Sequence, residues 1–156
     1  MSSIRGAETL TLILALVLTA GGCGRSPAVP APDRYVLRTV EGASLPAVLD
    51  ERVVAGENGD EVHRIEATGG TLELAEGRYA LDLRLRATVD GRAAPLRGVR
   101  DRGVVHEAEG ALTFVSEVIE HLSHEGRRDG AGVAVAFELR HLLGEPATAE
   151  LGFAPE

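Results

Sequence analysis

Between Tyr79 and Ala87 the chain alternates without a break between two kinds of side chain. Tyr79, Leu81, Leu83 and Leu85 fall on one face of an extended chain, and Asp82, Arg84 and Arg86 fall on the other. A helix would scatter those charges around its circumference, whereas a half-buried strand separates them cleanly. The same period of two returns at Val133, Val135, Phe137 and Leu139, set against Ala134, Ala136, Glu138 and Arg140. It returns again at Leu72 and Leu74, and at Leu151 and Phe153. A one-residue slip would bury the charges and expose the leucines, so register is strongly fixed. Leu72, Leu74, Tyr79, Leu81, Leu83, Leu85, Val133, Val135, Phe137 and Leu139 are therefore expected to form one contiguous interior, with Arg84, Arg86, Glu138 and Arg140 outside.

Turn residues punctuate the runs. Asn58-Gly59, between Val53-Val54 and Val62, is the strongest short hairpin signal. Asp90-Gly91 and Asp129-Gly130 are further candidates, and Glu76-Gly77 and Glu109-Gly110 are weaker ones. Gly69-Gly70 reads as a turn or as a bulge within one bent strand. Taken as a bulge, it leaves about eight strands, at roughly 35–41, 47–55, 61–75, 78–89, 98–107, 111–117, 131–142 and 148–154. Their spacing predicts an antiparallel meander, whose two open edges are removed by closure. The expected fold is thus an all-β, eight-stranded barrel, with an open two-sheet β-sandwich as the alternative. Eight strands leave an interior that side chains fill or share with one small ligand.

Residues 113–125 (TFVSEVIEHLSHE) resist this pattern. Leu112 and Phe114 alternate, but Val115, Val118, Ile119 and Leu122 also fit a helical stripe, so a strand is expected to about Ser116, then a loop or helical turn. On a helix, Glu117, His121 and His124 would share a face at i, i+4 and i+7, an arrangement that could ligate zinc. No standard zinc spacing is matched, and the segment runs into Gly126-Arg127-Arg128-Asp129-Gly130. The simpler expectation is a polar hairpin loop with surface histidines and no metal. His63, His106 and His141 lie singly within strand runs, where half-exposed positions accommodate histidine without a function.

Ahead of the strands, the eleven residues Leu10–Ala20 are uncharged, preceded by Arg5 and followed by Gly21-Gly22-Cys23-Gly24. That is short of the ~20 residues a helix needs to span a bilayer and matches the apolar stretch of a secretory signal peptide. Cys23 is the sole cysteine, so it has no disulfide partner in the chain. Ala20-Gly21-Gly22-Cys23 resembles the bacterial lipoprotein lipobox, with alanine where leucine is usual. The resemblance implies removal of residues 1–22, a diacylglyceryl group on the Cys23 thiol and attachment to a lipid bilayer through the acylated residue. Acyl chains at ~0.8 kcal/mol per buried methylene make such an anchor essentially permanent. An aspartate after the cysteine is the familiar inner-membrane retention signal of enteric bacteria; Gly24 stands there instead, which favours the periplasmic face of the outer membrane. Pro27, Pro30 and Pro32 make residues 23–33 a lipidated cysteine and extended tether, leaving 34–156 as the domain.

Composition narrows the function classes. The chain is 44% hydrophobic, too apolar for a disordered one. Its 16 basic residues are all arginine, against 24 acidic ones, for a net charge of −8. That balance argues against a nucleic-acid partner, and 3% aromatic residues without tryptophan supply little for stacking platforms. No G-x-S-x-G elbow, P-loop or dinucleotide fingerprint occurs, and no cofactor is implied. The carboxylates alternate outward as solvated faces do. Glu57-Asn58-Gly59-Asp60-Glu61 is acidic but lacks the register of a calcium loop.

The opening Tyr35-Val-Leu-Arg-Thr-Val-Glu-Gly-Ala-Ser-Leu-Pro46 is similar to the start of small bacterial lipoproteins with the pattern Y-x-L-x-x-V-(D/N/E)-G-x-x-L-P. Gly69-Gly-Thr-Leu-Glu-Leu and the long strand from Tyr79 to Thr88 follow in the same order as in that family. The family is generally regarded as lipocalin-like β-barrels of uncharacterised function, so the resemblance implies fold and location and assigns no chemistry. The G-x-W of true lipocalins is missing, since the chain has no tryptophan. The expected function is a membrane-anchored envelope lipoprotein whose non-catalytic barrel binds a small apolar ligand or a protein partner, or is structural. The competing expectation is a metal-assisted hydrolase using His121 and His124.

Overall fold

The structure, a computed structural model, describes residues 33–57, 59–140 and 147–156. The expectations for residues 1–32, Cys23 included, and for Asn58 and His141 lie outside the described residues. The strands are β1 (Asp33–Val40), β2 (Ala43–Ser44), β3 (Ala47–Gly56), β4 (Gly59–Ala75), β5 (Arg78–Val89), β6 (Arg92–Ala94), β7 (Val99–Ala108), β8 (Ala111–Ser116), β9 (Ser123–Asp129), β10 (Gly132–Glu138) and β11 (Thr148–Pro155). Eight of them, β1, β4, β5, β7, β8, β9, β10 and β11, run as an antiparallel meander that closes where Asp33–Val36 of β1 pairs with Thr71–Leu74 of β4. Closure excludes the open sandwich. The remaining strands, β2, β3 and β6, pair outside this ring.

Tight turns set the meander. Glu76-Gly77 between β4 and β5 and Glu109-Gly110 between β7 and β8 each place two successive residues at positive φ, as a type I′ turn requires, and Glu41-Gly42 and Asp90-Gly91 do the same where β1 and β5 turn into the outlying β2 and β6. The glycine carries most of that requirement, so a glutamate serves where asparagine or aspartate would be usual. Gly69-Gly70 is no turn: it lies inside the 17-residue β4, where the register against β5 shifts between Ala67 and Gly69. This bulge changes the phase of the strand, so that Ala67 before it and Leu72 and Leu74 after it all reach the same core.

The barrel holds eight strands, but their membership differs from the expectation. The run at 47–55 forms β3, which pairs only with the first half of β4 and lies outside the ring. Its place is taken by β9, where a polar loop or helical turn was expected. The reason is visible in SHEGRRD: the inward positions are His124, Gly126 and Arg128, none of them apolar, so a hydropathy pattern carries no trace of the strand. Gly126 is needed there, because a Cβ would lie 2.8 Å from both the Phe114 ring and the Ala134 carbonyl oxygen.

Of the ten side chains assigned to the interior, Leu72, Leu74, Tyr79, Leu81, Leu83, Val133, Val135, Phe137 and Leu139 are buried in one cluster, and Leu85 is partly buried against it. They are joined by Leu37, Leu112, Phe114, Leu151 and Phe153. Arg84, Arg86 and Arg140 are exposed and Glu138 is half-buried. Beyond the ring, β3, the first half of β4, the second half of β5 and β6 form an extension crossed by the ion pairs Glu51–Arg64, Arg64–Glu66 and Glu66–Arg86. Truncation of the fully buried Leu83 to alanine is expected to cost about 2–5 kcal/mol by denaturant unfolding, while Arg84→Ala costs within about 0.5 kcal/mol. The opposite ranking would mean that β5 is assigned the wrong face.

Candidate functional site

One charged side chain sits where the period of two would place an apolar one. Asp101 lies between Val99 and Gly103 on the inward side of β7 and is 3% exposed. Oδ2 accepts the Tyr79 hydroxyl at 2.7 Å, and Oδ1 accepts the Ser116 hydroxyl at 2.5 Å and the Arg102 N–H at 2.8 Å. The strand neighbours position each donor: Tyr79 of β5 lies opposite Gly103 of β7, which in turn lies opposite Ser116 of β8. Gly103 is required for that approach, since a Cβ would come within 1.9 Å of the Val115 carbonyl oxygen.

His124 of β9 completes the group. Its Nδ1 accepts the Glu138 N–H at 3.1 Å, so the ring proton resides on Nε2, which stands 3.5 Å from Asp101 Oδ2. That is too long for a well-formed hydrogen bond but close enough for the N–H dipole to favour the carboxylate. The imidazole stacks on Phe137 with centroids 4.6 Å apart, and Tyr79 meets Phe114 edge to face at 5.2 Å. Burial by itself would raise the Asp101 pKa; the His124 N–H beside it and the hydrogen bonds from Ser116, Tyr79 and the Arg102 amide outweigh it and hold the carboxyl at about 2. Burial, followed by the bond to Asp101, pushes the Tyr79 phenol well above its ordinary value.

The chemistry open to this group is narrow. The Ser116 oxygen gives its proton to Asp101 and accepts the Val118 and Ile119 N–H groups at 3.1 and 2.9 Å, which pins the connection from β8 to β9. A nucleophile needs a base of pKa near the working pH, and a carboxylate held near 2 is a weak one. His124 is turned to a backbone N–H and to Asp101, and makes no hydrogen bond to Ser116. The group therefore reads as a buried polar staple joining β5, β7, β8, β9 and β10.

The zinc candidates Glu117, His121 and His124 are not brought together. They lie on no helix: Glu117 pairs with Arg78, His121 is exposed beside Glu120, and His124 is buried in the staple. Among the described residues no group of three or more His, Cys, Asp or Glu side chains could hold a metal ion. His63 is half-buried beside Glu61, and His106 is exposed. A second polar group, near the turns at Glu109-Gly110 and Asp129-Gly130, joins Arg128 to the Tyr35 hydroxyl at 2.7 Å and to Glu107 at 3.0 Å.

Sequence reasoning missed Asp101, Ser116 and Arg128. The outward alternation expected of every carboxylate fails at Asp101, and the signal was present: Val99, Asp101, Gly103 and Val105 share one parity, so Asp101 had to face inward. Outside the wall, an open depression of about 530 Å³ is lined by outward residues including Thr71, Ala80, Asp82, Arg100, Arg102 and Val118. No protein-family model, curated protein or solved structure matches the chain.

Asp101 gives a test with a definite sign. Its folded pKa lies below the ordinary 3.8, so its stabilisation is present above pH 3.8 and is lost as pH falls towards 2, in all about 2 kcal/mol. Asp101→Asn is expected to be less stable than the wild type at pH 7 and to show a flatter decline between pH 4 and 2. Denaturant midpoints at a series of pH values measure this, and parallel declines would disprove the role.

Proposed function

We propose that the protein is a lipid-anchored lipoprotein of the bacterial cell envelope, held by acylated Cys23 and a short proline-rich tether, whose barrel is a non-catalytic scaffold for protein contacts. The observation that carries the scaffold reading is the state of the interior. Phe114, Phe137, Leu37, Leu72, Leu83, Leu112, Leu139 and Leu151 are each no more than 2% exposed, and the inward polar atoms of Asp101, Tyr79 and Ser116 bond one another. Close-packed side chains leave no ready place for an apolar guest, so of the two kinds of binding expected from the sequence a protein partner on the outer wall is the better supported.

The hydrolase reading loses the constellation that suggested it, since His121 and His124 differ completely in exposure and share no site. Support for the anchor is the unique cysteine behind an eleven-residue apolar run, and Gly24 after Cys23 favours the outer-membrane periplasmic face. Intact-mass measurement of protein from the membrane fraction tests both parts. The expected mass is that of the chain from Cys23 with acyl groups added, and Cys23→Ala is expected to be unacylated and soluble outside the cytoplasm. A mature form without acyl mass would overturn the anchor. A stoichiometric small molecule, seen as a mass difference between native and denaturing spectra, would overturn the filled scaffold.

A further inference from the structure

We propose that the open edge of β3 is a self-recognition surface, on which β3 of a second copy of this chain pairs antiparallel about a two-fold axis through Glu51. Among the described strands β3 pairs with β4 alone, so its other edge is unpartnered over ten residues. The direction of its backbone groups follows from β4. Val62 N–H donates to Asp90 Oδ1 at 2.9 Å and its carbonyl accepts the Asp90 N–H at 2.9 Å, so both groups of Val62 point away from β3. Val53, opposite Val62, therefore turns its own N–H and C=O to the open edge, and by the period of two Glu51 and Ala55 do the same.

An edge of this kind is normally protected by proline, by lysine or other charge, by a bulge or by brevity. β3 is ten residues long without proline or lysine; its bulge at Val48–Asp50 and its charges at Asp50, Glu51 and Arg52 are confined to its first six residues, and beyond them Val53, 65% exposed, and Val54 are exposed, as is Val62 of β4 opposite Val53. The occupant is specified by the sequence of the strand. Val48-Leu-Asp-Glu-Arg-Val-Val54 is complementary to itself when reversed. With Glu51 opposite Glu51 of the second copy, Asp50 meets Arg52, Arg52 meets Asp50, and Val53-Val54 meet the bulged Val48-Leu49. The outward backbone groups allow registers only in steps of two residues. The next such register sets Arg52 opposite Arg52 and Glu51 opposite an apolar valine. The like charges on the axis are each compensated within their own chain by Arg64, 3.0 Å from Glu51.

A single strand pair buries a small area, so the association is weak in free solution and strengthens with concentration. Cysteine substitution reads the register directly, in the full chain carrying Cys23→Ala so that one thiol is present and the result is independent of acylation. Glu51→Cys places two thiols across the axis, with Cα atoms ~5.5 Å apart in a hydrogen-bonded pair, within disulfide range. Val53→Cys places them four residues out of step, ~13 Å along the strands, and out of reach. Mild oxidation is expected to give a covalent dimer of Glu51→Cys and none of Val53→Cys. Dimer from Val53→Cys, or from neither, overturns the proposal. Asp50 and Arg52 also pair within their own chain, at 3.3 Å, and charge exchange supplies a second reading that this internal contact would not move. Asp50→Arg and Arg52→Asp are each expected to be monomeric by sedimentation up to about 1 mM, yet to form a mixed dimer when combined. Failure of the mixture to associate, with both variants folded by circular dichroism, overturns the proposal.

Discussion

Four residue pairs hold the architecture shut. Asp33–Val36 of β1 lie beside Thr71–Leu74 of β4, and the same short stretch of β1 also pairs with β11. Without that contact the meander would be an open sheet with two long edges, and the apolar side of every strand would need another layer to cover it. Arg34, in the middle of the seam, reaches both Glu73 and Glu156, so charge on the outer wall supports what backbone pairing does within. Exposed pairs of this kind contribute at most about 1 kcal/mol each, and the ladder itself does most of the holding.

The interior is not uniformly apolar, and most of its polar groups are paired, the His124 Nε2 N–H being the buried donor left without a hydrogen bond. The chain has two tyrosines, both buried, and each hydroxyl meets a charged partner: Asp101 for Tyr79 and Arg128 for Tyr35. A buried carboxylate costs several kcal/mol unless its lone pairs are taken up, and Asp101 has three donors within 2.8 Å and an imidazole beyond them. Donors drawn from neighbouring strands fix the relative position of those strands more sharply than leucines alone could, because a hydrogen bond fails with a small displacement that apolar contact tolerates.

Strand type, turn position and barrel class were legible because they depend on parity, and parity survives in the sequence wherever the inward residues are apolar. The runs at Tyr79–Leu85 and Val133–Leu139 are of this sort. Where inward positions carry His124, Gly126 and Arg128, the same geometry leaves no hydropathic trace, and β9 was lost with it. β3 shows the converse: its valines resemble a barrel strand, but whether a run joins the ring or projects from it depends on long-range pairing that no local pattern encodes. The staple was half-legible. Asp101 could be placed inward by counting from Val99, while the arrival of Tyr79, Ser116 and His124 around it depended on registers across several strands.

The seam also orders events in time. Most neighbours in the barrel follow one another along the chain, three pairs of them, β4–β5, β7–β8 and β9–β10, through turns of two residues, and such hairpins form within about 1–10 μs of both strands being available. β1 is different. One of its edges meets β4, but on the other Tyr35 lies beside Pro155, so that side of the domain's first strand waits for β11, the last strand of the domain. A ribosome delivers residues at roughly 5–20 per second, and for those seconds the growing sheet exposes an unsealed edge that any extended polypeptide could occupy. Correct assembly of this domain is thus decided once β11 has been made, by whichever strand reaches that edge first.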